Sequence, residues 1–148
     1  MVHALREAGR VLRSDGYLFD LRPAPVHRRV GLIEGNSYQQ VAVMREGFAD
    51  DYAANRAVGE VINSGLFQLH RRVRFECTRK MDRLTEFEAW LDEFVRLSKA
   101  PSHEWLVRRV RHRLQSRDMR QTPKSRTRQT RIIVHGPVDL RVLTKPKC

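Results

Sequence analysis

The run VHALREAGRVLRSDGYLFDLRP, Val2 to Pro23, fits a helix, a tight turn and a strand into one short span. Val2, Leu5, Ala8 and Leu12 fall at three- and four-residue spacing, which lines one apolar face of a helix. Ser14-Asp15-Gly16 stops that helix, with Gly16 able to take the positive φ that a helix C-terminus often needs. Tyr17-Leu18-Phe19-Asp20-Leu21 then runs apolar with one polar break, the pattern of a strand covered on both faces. Arg22-Pro23 closes it, because proline gives no donor to a ladder.

Outward from this run the chain alternates strands and helices. Val30 to Glu34 and Tyr38 to Val43 flank Gly35-Asn36 and read as a β-hairpin. On its residues alone the hairpin reads as a surface element that shields the core. Asp50-Asp51 is expected to cap a helix carrying Tyr52, Ala53, Val58, Val61 and Ile62, which Asn63-Ser64-Gly65 ends. Leu66 to Thr78 alternates Phe67, Leu69, Val73, Phe75 and Cys77 against polar residues and is expected to be a half-exposed antiparallel strand. Thr85 to Glu88 has the spacing of a capping box ahead of Phe87, Trp90, Leu91, Phe94 and Val95, a core stripe. Ser102 caps a further helix that runs to Arg117, with Leu106, Val107, Val110 and Leu114 inward. Residues 117–130 are almost devoid of apolar side chains and read as a mobile basic loop. Ile132-Ile133-Val134, a Gly136-Pro137 break, and Val138, Leu140 and Val142 in alternation form the last strand.

Composition narrows the function classes. No apolar run is long enough for a membrane span and no charged-then-apolar leader is present, so a soluble cytoplasmic protein is expected. Cys77 and Cys148 stand far apart, which argues against a disulfide framework, and Cys77 is expected to be a small buried hydrophobe. Lys and Arg number 29 against 17 Asp and Glu, a net charge of +12. A field of that size draws polyanions, nucleic acid first, although a bias toward arginine in composition would produce it without a partner. Arg108, Arg109, Arg111 and Arg113 on the outer face of the last helix are the candidates for a nucleic-acid surface. His103 and His112 have no spacing that makes them joint metal ligands. No Ser/His/Asp order, Cys/His cluster or P-loop offers an enzymatic reading from motif alone.

The opening run resembles the second-half motif of class I (Rossmann-like) S-adenosylmethionine-dependent methyltransferases, of the type 11 kind. In that family a helix reading ALREAxRVLRPGG leads into the fifth strand of the sheet. Ala4-Leu5-Arg6-Glu7-Ala8, Arg10-Val11-Leu12-Arg13 and Gly16 match it, with Ser14-Asp15 where the family prefers Pro-Gly. The strand after the second helix matches the family's sixth, and Arg141 to Pro146 is similar to its last. The resemblance implies an α/β fold: one partial domain over residues 1–148, with the fifth strand, antiparallel last two strands, an added hairpin and inserted helices. It implies S-adenosylmethionine as cofactor and an unidentified methyl acceptor at the C-terminal ends of the strands. Asp20 and Arg22, at the end of the fifth strand, are then the substrate-side candidates.

The family holds its cofactor in the other half, on a glycine-rich loop after the first strand. The eight glycines here are single and scattered, and no G-x-G spacing occurs. The chain alone is therefore not expected to bind S-adenosylmethionine, and no cofactor-binding or catalytic residue carries over. With Met1 almost inside the first helix, the sequence reads as a C-terminal half, through truncation or a miscalled start. Its fifth strand would then keep an open edge that invites a second copy or a partner chain, and a non-catalytic interaction subunit is the remaining alternative.

Overall fold

The computed structural model describes residues 1–98, 103–118 and 129–146. The elements in chain order are α1 (Val2–Val11), β1 (Tyr17–Pro23), β2 (Arg28–Glu34), β3 (Ser37–Met44), α2 (Ala49–Asn63), β4 (Gln68–Met81), α3 (Leu84–Ser98), α4 (Glu104–Asp118) and β5 (Arg131–Thr144). The protein is α/β, with an open antiparallel sheet in the order β1-β5-β2-β3 and β4 also paired to β5. Two compact units divide the chain: Met1–Val26, Phe48–Glu76 and Pro137–Cys148 form the first, His27–Gly47 and Cys77–Gly136 the second.

In the first unit β1 pairs antiparallel with the C-terminal part of β5, from Tyr17 opposite Thr144 to Pro23 opposite Val138. Val58, Val61, Phe67 and Leu143 are its core, with Val2, Leu5, Leu12, Leu18, Ile62 and Leu66 packed on them. The apolar stripe of α1 thus does what its spacing dictates. Gly9 is where α1 comes closest to its neighbour, since an added Cβ would lie 3.1 Å from Leu66 Cδ1. Gly16 does not take positive φ; its role is steric, because a Cβ there would meet Leu12 Cδ1 at 2.8 Å. The positive φ falls instead on Gly65, at 74°, after α2. There the Leu66 amide donates to Val61 O and the Gly65 amide to Ile62 O, a Schellman closure. Asp50 and Asp51 sit in the first turn of α2 and favour its positive end, but no side chain caps it.

Strand β1 is not covered on both faces. Its burial alternates, with Leu18, Asp20 and Arg22 half-buried, while Tyr17 is 51%, Phe19 65% and Leu21 61% exposed. Leu18 joins the core beneath the helices, and among the described residues β1 pairs with no strand but β5. Strand β4 departs from expectation in the same way: Leu69, Phe75 and Cys77 are exposed. An alternating pattern fixes which side chains share a face but not whether another layer covers that face.

The second unit is built on the hairpin. β2 and β3 are joined at Gly35-Asn36 with Glu34 opposite Ser37, and Gly35 has φ 58°. A bulge falls between Val30 and Gly31. Strand β2 pairs antiparallel with β5, from Arg29 opposite His135 to Ile33 opposite Arg131. Val30, Leu32, Val41, Met44, Met81, Phe87, Leu91, Leu106, Val110, Ile132 and Val134 form the core, with Trp90, Phe94, Val107 and Leu114 against it. The expected helix stripes are therefore the core. Thr85 lies inside α3 rather than at its cap; Glu86 Oε2 accepts the Asp82 amide at 3.0 Å, and Glu88 is left to Arg111.

Strand β5 does not break at Gly136-Pro137. The ladder with β2 ends at His135 and the ladder with β1 begins at Val138, so the proline falls between these two ladders. Its carbonyl still accepts the Ala24 amide at 2.9 Å. Of the expected basic loop 117–130, Arg117 belongs to α4, and residues 119–128 lie outside the described residues, as do Ser102 and Cys148.

Candidate functional site

The half-buried face of β1 in the first unit carries the substrate-side candidates. Opposite Asp20 stands Arg141 and opposite Arg22 stands Asp139. The tripeptide Asp-Leu-Arg occurs in both strands, at 20–22 and 139–141. Antiparallel pairing centred on Leu21 and Leu140 therefore sets each arginine against an aspartate.

The side chains do not pair straight across. Arg22 Nε donates to Asp20 Oδ1 at 2.9 Å and Arg22 Nη2 donates to Asp20 Oδ2, so Asp20 is taken within its own strand. Asp139 is only 3% exposed and turns to β4. Arg74 Nε donates to Asp139 Oδ1 at 2.6 Å, Arg74 Nη2 to Oδ2 at 2.9 Å, and Arg72 Nη2 to Oδ2 at 3.1 Å. Among the described residues no carboxylate hydrogen-bonds Arg141. Its Nη2 donates to Asn55 Oδ1 on α2 at 2.5 Å.

The electrostatics follow from this arrangement. The Arg74 hydrogen bonds, reinforced by those of Arg72 and opposed by burial, hold the Asp139 carboxyl down at about 2. The same pairing holds the Arg74 guanidinium above its ordinary value. Arg141 is lowered, by burial first and then by repulsion from Arg22 and Arg72, with Asp20 and Asp139 acting the other way. Arg22 Nη1 is buried and makes no hydrogen bond among the described residues.

Asp20 and Arg22 are thus together, as expected, within a larger cluster. Arg72, Arg74, Asp139, Arg141 and Asn55 were not identified from sequence. The repeated Asp-Leu-Arg is the signal that could have pointed to Asp139 and Arg141. Arg72 and Arg74 differ by two residues on a strand, which places both on one face.

The four arginines of α4 belong to the second unit and all are exposed. Arg111 Nη2 is tied to Glu88 Oε1 at 2.7 Å. Arg113 lines an open cavity of about 420 Å³ with Gln39, His112, Ser116 and Arg117. Arg117 itself bonds Glu34 Oε2 at 3.4 Å and Gln39 Oε1 at 3.1 Å. Among the described residues no group of three or more His, Cys, Asp and Glu is placed to hold a metal ion, and no helix is long and apolar enough to cross a membrane.

Comparison of the chain with protein-family models, with curated proteins and with solved structures finds no match.

Proposed function

We propose that this chain is the substrate-side half of an S-adenosylmethionine-dependent methyltransferase-like domain, with the Asp20/Arg22 cluster facing the methyl acceptor. One observation carries the reading: β1 and β4, separated by α2, both ladder to the final strand β5, in the first unit where the resemblance to the opening run lies. Fifth, sixth and last strands have that arrangement in the resembled sheet. The cluster lies at the C-terminal end of β1, which corresponds to the end at which the parallel strands of the resembled sheet collect their ligands.

The implied cofactor does not fit the residues present. A cradle for it needs several bare backbone positions in one strand-to-helix turn. Gly9, Gly16 and Gly31 are backed by Leu66, Leu12 and Tyr38, and the turn before α2 carries Gly47 alone. No chemical step is assigned to this chain through that group. The chain's own part is to hold and orient the acceptor by charge-assisted hydrogen bonds.

The test uses protein purified from the cells that make it, incubated with tritiated S-adenosylmethionine and an extract of those cells. Because the chain has no cofactor cradle, the extract must supply the cofactor-binding half. Label passing to an extract component only when chain and extract are combined, and falling when Asp20 is replaced by Ala, is the expected result. Absence of any transfer removes the reading.

A second reading, a basic nucleic-acid-binding module, is favoured by Arg108, Arg109 and Arg113, which are exposed on α4. It predicts affinity for DNA or RNA that falls steeply with salt. Weak retention even at low salt ends it.

A further inference from the structure

The last turns of α4 carry His112, Arg113, Ser116 and Arg117, and three- and four-residue steps link them along one side of the helix. With Gln39 of β3 they line one open cavity of about 420 Å³, which belongs to the second unit alone. Its described lining includes no apolar side chain and no carboxylate.

The hydrogen bonds already made there decide what is left for a ligand. Arg117 is engaged on both sides: Nη1 donates to Glu34 Oε2 at 3.4 Å and Nη2 to Gln39 Oε1 at 3.1 Å. The second bond occupies the acceptor of the Gln39 amide and leaves its NH2 group over. Ser116 Oγ donates to His112 O at 2.8 Å. Arg113 is exposed, and its guanidinium meets no acceptor among the described residues. The cavity thus gathers a whole guanidinium fork, an amide NH2 and an imidazole with at least one N–H.

Charge points the same way. Glu34 offsets Arg117, so Arg113 is the uncompensated charge, in a chain of net charge +12. The carbonyl end of α4 opposes an anion with about half an elementary charge, less than one guanidinium supplies.

We propose that this cavity binds the terminal phosphate of a small polar phosphate ester. Donors line it from two elements, β3 and α4. A carboxylate offers two oxygens in one plane, which a single guanidinium fork satisfies, and a phosphodiester has only two oxygens outside its ester links. A terminal phosphate offers three oxygens in a tetrahedral spread and a charge of about −1.5 to −2 at neutral pH. The cavity has about fourteen times the volume that one water takes in the liquid, enough for the phosphate and for part of the polar group it is joined to. This site stands whether or not the chain takes part in methyl transfer.

The experiment is isothermal titration calorimetry of the full chain at low ionic strength with ribose 5-phosphate, with dimethyl phosphate as the diester arm and acetate as the carboxylate arm. Ribose 5-phosphate is expected to bind at least about tenfold tighter than either, a difference of about 1.4 kcal/mol. Arg113→Gln is expected to weaken it at least about tenfold. Arg109→Gln removes the same charge from the same helix at an exposed position outside the cavity, and is expected to leave binding unchanged. Circular dichroism is expected to show both variants folded, since both side chains are exposed. No binding of ribose 5-phosphate by the unmodified chain, equal binding by the two variants, or dimethyl phosphate or acetate binding as tightly as ribose 5-phosphate overturns the site.

Discussion

Replacing Asp139 with Asn tests the electrostatic core of the first unit. Asparagine keeps the shape of the side chain and one acceptor oxygen but removes the charge that Arg72 and Arg74 share. The carboxyl, 3.8 in its ordinary state, is held at about 2 in the fold. At about 1.4 kcal/mol per unit, that depression stabilises the folded chain by about 2 kcal/mol. Because the folded value is the lower one, the contribution is full above pH 3.8 and disappears as pH falls through about 2. Arg72 and Arg74 are half-exposed, so water rehydrates them in the variant and no large buried-charge penalty is added. Urea unfolding of both proteins, from neutral pH down to strong acid, measures the difference. General acid repulsion in so basic a chain acts on both and cancels. The expected gap is about 2 kcal/mol at neutral pH, level to about pH 4 and closing toward zero near pH 2. A gap below about 0.5 kcal/mol at neutral pH, or one of the same size at every pH, refutes the reasoning.

Three other outcomes follow from packing and exposure. Gly31→Ala places a Cβ 2.7 Å from Gln39 O and 2.8 Å from Tyr38 Cζ, and is expected to destabilise by about 1–3 kcal/mol in denaturant titration. Phe19→Lys with Leu21→Lys changes exposed side chains on β1; thermal stability should hold within about 0.5 kcal/mol per site while sedimentation equilibrium shows less self-association. Arg108, Arg109 and Arg113 replaced together by Gln should leave folding unaltered. Any non-specific nucleic-acid binding should lose about one unit of salt slope for each phosphate contact removed, as fluorescence anisotropy across a salt series would show.

Much of the fold was legible because short-range chemistry set it. The stripe Val2, Leu5 and Leu12, the Gly35-Asn36 hairpin and the stripe Phe87, Leu91, Leu106 and Val110 all ended in cores or turns as their spacing dictates. What eluded the sequence depends on partners far along the chain. The exposure of Tyr17, Phe19 and Leu21 depends on what covers β1, and no local pattern encodes a missing cover. The conformational freedom that Gly16 offers is not used; Leu12 packing makes its role a steric one. The continuity of β5 through Pro137 depends on where two other ladders stop. Of the cluster, Asp20 and Arg22 were visible at the end of a strand. Arg72 and Arg74 joined them only because Asp139 prefers their guanidiniums to the arginine directly opposite.

The exposed side of β1 bears on how the protein behaves in a tube. Two copies that add strand to strand must close to about 4.8 Å between backbones. At millimolar salt the like charges, +12 on each chain, repel across about 30 Å or more, far outside that distance. At about 0.1 M the reach shrinks to about 10 Å, and the colloidal barrier that keeps Tyr17, Phe19 and Leu21 of different molecules apart largely vanishes. The salt commonly added to strip nucleic acid from a basic protein would thus be the condition under which this one associates with itself. Concentrated stocks should stay clearest in dilute buffer.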